Sequence, residues 1–407
     1  MRIPESYLVN LNFYKYSSID NSLLSRHLLN PYWNYLVSLF PNYIAPNSIT
    51  FAGLLFIVAN LLSLFYYDPS LECSVDSSSC PPNWIYFSWA IGLFLYQSFD
   101  AIDGKQARKT GMAGPLGELF DHGCDALNTT LEVILSAAAL NIGTSWWLVL
   151  SQIATIANFY LSTWEEYHTG TLYLSVFSGP VEGIIIIVIL YIITGIFGPQ
   201  IWSTSLINFI GWDIKVNEAF MAFAGVGLFA NVYTAYSNVQ KSRKSKNISS
   251  PSPLYGLLPF LYQTVLNVLW ASAPNSIIFN TNYQISPLLI YLIQWGFQFS
   301  HLVGLVILGH VAKVPFPSHI TSMFVVLCVA IDGYLPTFGL SSILHSSEQS
   351  SLYTLYGMLI INAMIWLTFA WFTVKDICEH QGIKCFRVLK RSKDGAWVVP
   401  NEMNKNK

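Results

Sequence analysis

Asp100 to Asp125 reads DAIDGKQARKTGMAGPLGELFDHGCD, and this stretch sets four aspartates, Asp100, Asp103, Asp121 and Asp125, into 26 residues. It lies between, and partly inside, two apolar runs, Trp84 to Phe99 and Leu127 to Ile142. Carboxylates at membrane depth cost several kcal/mol unless something neutralises them, and they mark function. Asp100 and Asp103 are three apart and Asp121 and Asp125 four apart, so on helices each pair shares a face. Two such pairs make an oxygen-only donor set, the kind that Mg²⁺ or Mn²⁺ prefers, and a pair of such ions is the expected counter-charge. Between the pairs lie Gly104, Ala107, Gly114 and Gly117, where a backbone or ligand can approach closely, and Arg108, whose guanidinium suits phosphate oxygens. Carboxylate-held divalent ions beside an arginine describe a site that handles phosphate.

The rest of the chain reads as the bilayer scaffold for that stretch. Of its 407 residues 53% are hydrophobic and only 10% charged, against about a quarter charged in ordinary soluble domains. Besides the two runs already named, apolar segments long enough for a span of about 30 Å occupy Ile49–Tyr66, Trp146–Thr163, Val181–Phe197, Ala219–Val239, Leu254–Trp270, Pro287–Leu308, Thr321–Leu335 and Leu352–Val374. The expectation is an all-α integral membrane protein of about ten transmembrane helices. With ten spans, 19 of the 20 Lys and Arg fall on one side and only Lys215 on the other. The positive-inside rule then puts both termini and the aspartate stretch in the cytosol. The sequon Asn247-Ile248-Ser249 falls on the same side, so it is expected to stay unmodified.

Five parts follow. Residues 1–42 form a cytosolic or interfacial segment, 43–241 a six-helix membrane core holding the stretch 100–125, 242–253 a linker, 254–374 a four-helix membrane part and 375–407 a basic tail suited to anionic lipid heads. In the first part Ser22 to Phe40 mixes leucines and aromatic rings with Arg26, His27 and Asn30, the pattern of an interfacial amphipathic helix, here expected to break at Pro31. The net charge of −2 argues for no nucleic-acid partner. Cys73 and Cys80 share a loop on the non-cytosolic side, where a disulfide persists if one forms; spacing alone leaves them paired or free. The other four cysteines read as buried or inert thiols.

The spacing Asp100-x₂-Asp103-Gly104-x₂-Ala107-Arg108-x₈-Gly117-x₃-Asp121-x₃-Asp125 resembles the full signature of the CDP-alcohol phosphotransferase family. The segments DGKQAR, PLGELFDHGCD, TWEEYHT (Thr163 to Thr169), SGPVEG (Ser178 to Gly183) and DICEHQGIKCF (Asp376 to Phe386) are similar to the eukaryotic choline and ethanolamine phosphotransferases of that family. The resemblance implies transfer of phosphocholine or phosphoethanolamine from CDP-choline or CDP-ethanolamine to diacylglycerol, with release of CMP. It also implies two divalent metals on the four aspartates, a homodimer, and residence in the endoplasmic reticulum membrane or the Golgi. By the same resemblance Gly104, Ala107 and Gly117 leave room for the nucleotide, and Asn47 of APNSIT reaches the nucleotide or a metal-bound phosphate. Read from its own position, Asn47 after Pro46 serves equally as a helix cap.

For removal of the acceptor proton, His122 has a suitable ordinary pKa and Asp125 is the alternative. The resemblance favours His122, together with Glu182, an acid inside an apolar run that also reads as a first-turn carboxylate at a helix N-terminus. Glu165, Glu166 and His168 read first as a solvated acidic loop. The second reading makes them the entry for a cationic headgroup, with Trp164 and Tyr167 offering ring faces. Asp332 repeats the letters IDG of Ile102 to Gly104 without a second aspartate at the required spacing, and reads as a structural polar contact or a lumen-facing residue. His301 and His310 read as satisfied polar groups or as marking a span end. Two rivals remain: a relative with another headgroup or acceptor, and a divalent-cation transporter, which would carry its carboxylates near the midplane in repeated halves.

Overall fold

The computed structural model describes residues 2–174, 180–209, 212–249, 251–318, 321–391 and 397–398. Among them are twelve α-helices: α1 Glu5–Leu8, α2 Asn30–Leu39, α3 Pro46–Tyr67, α4 Asn83–Thr110, α5 Pro115–Ala139, α6 Trp146–Thr169, α7 Pro180–Phe197, α8 Val216–Ser245, α9 Leu258–Ala271, α10 Pro287–Ala312, α11 Thr321–Tyr334 and α12 Glu348–Gln381. The apolar segments read from sequence fall largely within α3 to α12. Six helices, α3, α8, α9 with the turn before it, α10, α11 with the turn after it and α12, are long and apolar enough to cross a membrane, and α7 is apolar but shorter. Helices α4, α5 and α6 carry charged residues, among them Asp100, Asp103, Lys105, Arg108 and Lys109 on α4, Glu118, Asp121, Asp125 and Glu132 on α5 and Glu165 and Glu166 on α6, which lowers their apolar character. The chain is a mostly helical multi-pass membrane protein.

The aspartate stretch is helical almost throughout. Helix α4 runs on past the apolar run, because nothing breaks it until Gly111, which ends it in the left-handed conformation (φ 75°) while Met112 N–H bonds back to Ala107 C=O at 2.8 Å. Extended Gly114 then leads into α5, whose first residue is Pro115, where a missing N–H costs nothing. The connection shrinks to residues 111–114, and the two aspartate pairs sit on facing helices.

Helix α10 is the axis of the bundle, buried along nearly its whole length against α5, α6 and α12. Small residues let the helices close up: a Cβ at Gly296 would lie 2.7 Å from Thr130, and one at Gly304 would lie 2.6 Å from Phe369. Buried amides tie α9, α10 and α12 together. Asn362 donates to Gln294 at 2.9 Å, Gln294 to Asn267 at 3.1 Å and Asn267 to Gln298 at 3.0 Å. In a bilayer such pairs replace the hydrophobic drive between helices.

The N-terminal segment wraps the end of the bundle that bears the aspartates. Ile3 N–H donates to buried Asp376 of α12 at 2.8 Å, Asn10 donates to the Ala312 carbonyl at 2.8 Å, and strand β1 (Ser18–Asp20) pairs in parallel with β2 (Leu172–Leu174) after α6. The amphipathic helix exists but does not break at Pro31. A π-turn over Ser25–Leu29 runs into α2, so Pro31 falls in the first turn, where no ladder donor is lost. Leu28, Tyr35 and Leu39 stay exposed on one face, while Trp33 is buried. Lys105 donates to Asn34 at 2.9 Å and Lys109 to the carbonyls of Val37 and Phe40, so basic side chains of α4 hold the end of α2. At the opposite end of α4, Cys73 and Cys80 form a disulfide. Ser178 and Gly179 of the SGPVEG segment, and residues 392–396 and 399–407 of the basic tail, lie outside the described residues.

Candidate active site

Carboxyl oxygens of Asp100 (α4), Asp121 and Asp125 (α5) lie within 4.8 Å of one another. Asp103, one turn beyond Asp100, lies beside this group, in hydrogen-bonding range of Asp121. Helical spacing explains this: each pair faces one way on its helix, and the short Gly111–Gly114 connection turns the faces toward each other. Two further side chains fix the ligands. Thr50 of α3 donates to Asp103 Oδ2, and Tyr96, one turn before Asp100, donates its hydroxyl to Asp125 Oδ1. Asp121 Oδ1 is buried without any partner, and among the described residues no Lys or Arg pairs with these aspartates. Gathered hard oxygen donors with an orphaned buried atom fit a divalent cation.

Around them the signature's small residues leave space. No atom lies within 4 Å of where a Cβ would stand at Gly114 or Gly117, and a Cβ at Gly104 would meet only Arg108 Nη1, at 3.6 Å. Arg108 is exposed above Gly104, and Ala107 is buried. Asn47 is the second residue of α3, which Ala45 precedes without a side-chain cap. The capping reading of Asn47 is thereby corrected: its amide donates to Cys385 Sγ at 3.3 Å, and it lines a cleft with Gly114 and Gly117.

His122 follows Asp121 on α5 and forms no hydrogen bond among the described residues, whereas Asp125 is engaged by Tyr96. Glu182 has partners elsewhere. Its Oε1 accepts from Ser22 Oγ at 2.6 Å and from Leu24 N–H at 3.3 Å, anchoring the π-turn of the N-terminal segment to α7.

Glu165 and Glu166 correct the reading of a solvated loop. Both lie inside α6 and are buried, because the helix continues to Thr169 and packs on its neighbours. Glu165 accepts from Asn238 of α8 at 2.7 Å. Glu166 joins Glu118 of α5 and His310 of α10 in a second group whose ligand atoms lie within 4.8 Å of one another, with His310 Nε2 3.8 Å from Glu118 Oε1. His310 stands at the end of α10 as part of this cluster and is not a satisfied polar group: among the described residues its Nδ1 and both oxygens of Glu118 have no hydrogen-bond partner. Trp164 is buried against Gly256 and donates to the Pro253 carbonyl at 2.9 Å, and the His168 ring lies parallel to Phe316. Where the N-terminal segment crosses the mouth of the site, the Tyr16 phenol is held above its ordinary value, first by partial burial and then by the charges of Glu166, Asp121 and Asp100.

Residues 43–226 match the family model described as CDP-alcohol phosphatidyltransferase. The chain is also 43% identical over 341 residues to choline/ethanolaminephosphotransferase 1 of Saccharomyces cerevisiae, covering 80% of this chain and 83% of that protein. This chain belongs to the CDP-alcohol phosphotransferase family. Similar relatives are cholinephosphotransferase 1 of Saccharomyces cerevisiae, 43% identical over 332 residues (77% of this chain, 80% of that one), and choline/ethanolaminephosphotransferase 1 of Arabidopsis thaliana, 34% identical over 408 residues (94% and 97%). As a CDP-alcohol phosphotransferase it is a transferase, and the facing aspartate pairs lie within the residues that match the family model.

Sequence reading of this phosphotransferase missed Tyr96, Thr50 and the Glu118–Glu166–His310 group. Tyr96 had a signal, standing four residues before Asp100 on the same helix face. Thr50 stands three after Asn47, one turn along α3. Glu166 and His310 had none, since only packing of α6 and α10 on α5 brings them to Glu118.

Proposed function

We propose that this protein transfers phosphocholine or phosphoethanolamine from the corresponding CDP-alcohol to diacylglycerol, giving the phospholipid and CMP. The observation that carries the reading is the convergence of Asp100, Asp121 and Asp125 oxygens within 4.8 Å, beside the open faces of Gly114 and Gly117. The names and coverage of the relatives support the headgroup class. Two Mg²⁺ or Mn²⁺ ions would be held by Asp100, Asp103, Asp121 and Asp125; when bound they supply neutralisation of the pyrophosphate charge. Arg108 extends over Gly104 as a phosphate clamp, while Gly104, Ala107, Gly117 and Asn47 bound the nucleotide. His122, free of hydrogen bonds, takes the proton of the acceptor hydroxyl, and that oxygen attacks the phosphorus bearing the alcohol as its bond to CMP breaks. Asp125, held by Tyr96, stays a metal ligand. Glu182 holds the N-terminal segment over the site.

We place ten helices, α3 to α12, across the membrane, with the aspartates at the cytosolic surface of the endoplasmic reticulum or Golgi. The disulfide supports this orientation, since it stands at the oxidising end of α4, away from the site. A charged nucleotide then arrives from the cytosol and diacylglycerol from the lipid. Exposed Tyr353, Ile360, Met364, Leu367 and Trp371 on α12 give lipid or a second copy an apolar surface, and cross-linking through α12 tests the homodimer. Acceptor-dependent CMP release by the purified protein, with CDP-choline and CDP-ethanolamine offered separately, tests the reaction. Release from neither donor by folded, Mg²⁺-supplied protein would sink the proposal, and the ratio of rates assigns the headgroup.

A further inference from the structure

The chain that follows α12 returns to the site. Gly382 ends the helix in the left-handed conformation (φ 67°), and Ile383 N–H bonds back to Cys378 C=O at 3.1 Å, which turns the backbone toward α3 and α5. Two contacts hold it there. Cys385 Sγ accepts from buried Asn47 at 3.3 Å. The Phe386 ring stands 6.2 Å from Phe51 of α3 and 5.5 Å from Phe120 of α5, and Val388 and Leu389 beyond it are buried. This docked segment leaves Lys384 exposed, with no hydrogen-bond or ion-pair partner for its ammonium among the described residues.

Ile383, Lys384 and Cys385 form one side of a cleft whose other sides are Asn47, Gly114 and Gly117. Gly117 is one helical turn from Asp121, so the cleft lies within about 6 Å along α5 of the aspartate cluster. An anion that reaches from the aspartates into the cleft passes the Lys384 side. Lys384 lies well outside residues 43–226, the part that matches the family model.

We propose that Lys384 is a further donor-binding residue, its ammonium contacting the phosphate that leaves with the nucleoside, and that the segment Ile383–Phe386 is the wall that holds it there. This rests on the reading of the aspartate cluster as the site of a CDP-alcohol phosphotransferase. A lysine at this place binds substrate and product alike, because the nucleoside phosphate is common to both. It adds little to the barrier between them, so its removal acts on binding more than on turnover.

The test is steady-state kinetics on the full-length protein in detergent with diacylglycerol, with CMP as product inhibitor. Lys384→Ala should raise KM for the CDP-alcohol and the CMP inhibition constant together, each about tenfold, the size of one charge-assisted hydrogen bond. It should leave KM for diacylglycerol unchanged and kcat within about twofold. Lys384→Arg should restore both constants, which a merely structural lysine does not require. Phe386→Ala, which loosens the segment, should shift the same two constants in the same direction. An active wild type whose Lys384→Ala variant keeps both constants overturns the role of Lys384 and leaves the proposed reaction standing. A wild type that neither binds CMP nor releases it removes the reaction and this proposal together.

Discussion

Ile102-Asp103-Gly104 in α4 and Ile331-Asp332-Gly333 in α11 are the same three letters with opposite fates. The Asp332 carboxylate is saturated: it accepts from Ser342 Oγ at 2.5 Å, Ile343 N–H and Leu344 N–H at 2.8 Å each, and both the backbone N–H and Nδ1 of His345 at 3.1 Å. His345 in turn accepts from Trp270 of α9 at 3.2 Å, so Asp332 pins the connection after α11 onto the bundle. Asp103 accepts from Thr50 and the Gly104 backbone and faces further carboxylates, one of which, Asp121, has an oxygen with no hydrogen-bond partner among the described residues. A buried carboxylate whose lone pairs are filled by its own fold is structural. One left unfilled among its own kind is held ready for a cation that the chain does not supply.

The largest effect expected from this contrast is on turnover. Asp121→Ala should abolish acceptor-dependent CMP release while leaving the melting temperature unchanged or raised, because it removes an uncompensated buried charge. A variant with near-normal release would place the chemistry elsewhere. His122→Ala should keep divalent-ion binding and lose about 10²- to 10⁴-fold in kcat; turnover close to wild type removes His122 from proton transfer. Tyr96→Phe, which frees Asp125, should raise the Mg²⁺ concentration for half-maximal activity about tenfold. An unchanged Mg²⁺ dependence would mean that Tyr96 does not position that ligand. Smallest on activity and largest on stability is Asp332→Ala. It should lower stability by about 3 kcal/mol through the donors left bare in the Ser342–His345 turn, with kcat and both KM values kept. If thermal denaturation in detergent shows no loss, the turn does not depend on Asp332.

The aspartate spacing was legible because two pairs at helical intervals need only local geometry to share a face. What differed was the helix around them. Apolar runs end where charges begin, so sequence reading stopped the second span at Phe99, whereas the backbone continues to Thr110 for want of a breaker before Gly111. The structural role of Asp332 was legible from the missing second aspartate, although its donors were not. Glu166 and His310 could not be placed, since they stand 48 and 192 residues from Glu118 and meet it only through packing. The segment after α12 is illegible for the same reason: its lysine reads as part of a basic tail, and only the contacts of Cys385 and Phe386 bring it to Asn47 and Phe120.

Mn²⁺ binding to the purified protein, counted by electron paramagnetic resonance, tests the contrast most directly. The expected result is two ions bound by the wild type and by Asp332→Ala, with binding lost or reduced in Asp121→Ala. Equal Mn²⁺ binding by wild type and Asp121→Ala would contradict the assignment of these aspartates as the metal ligands.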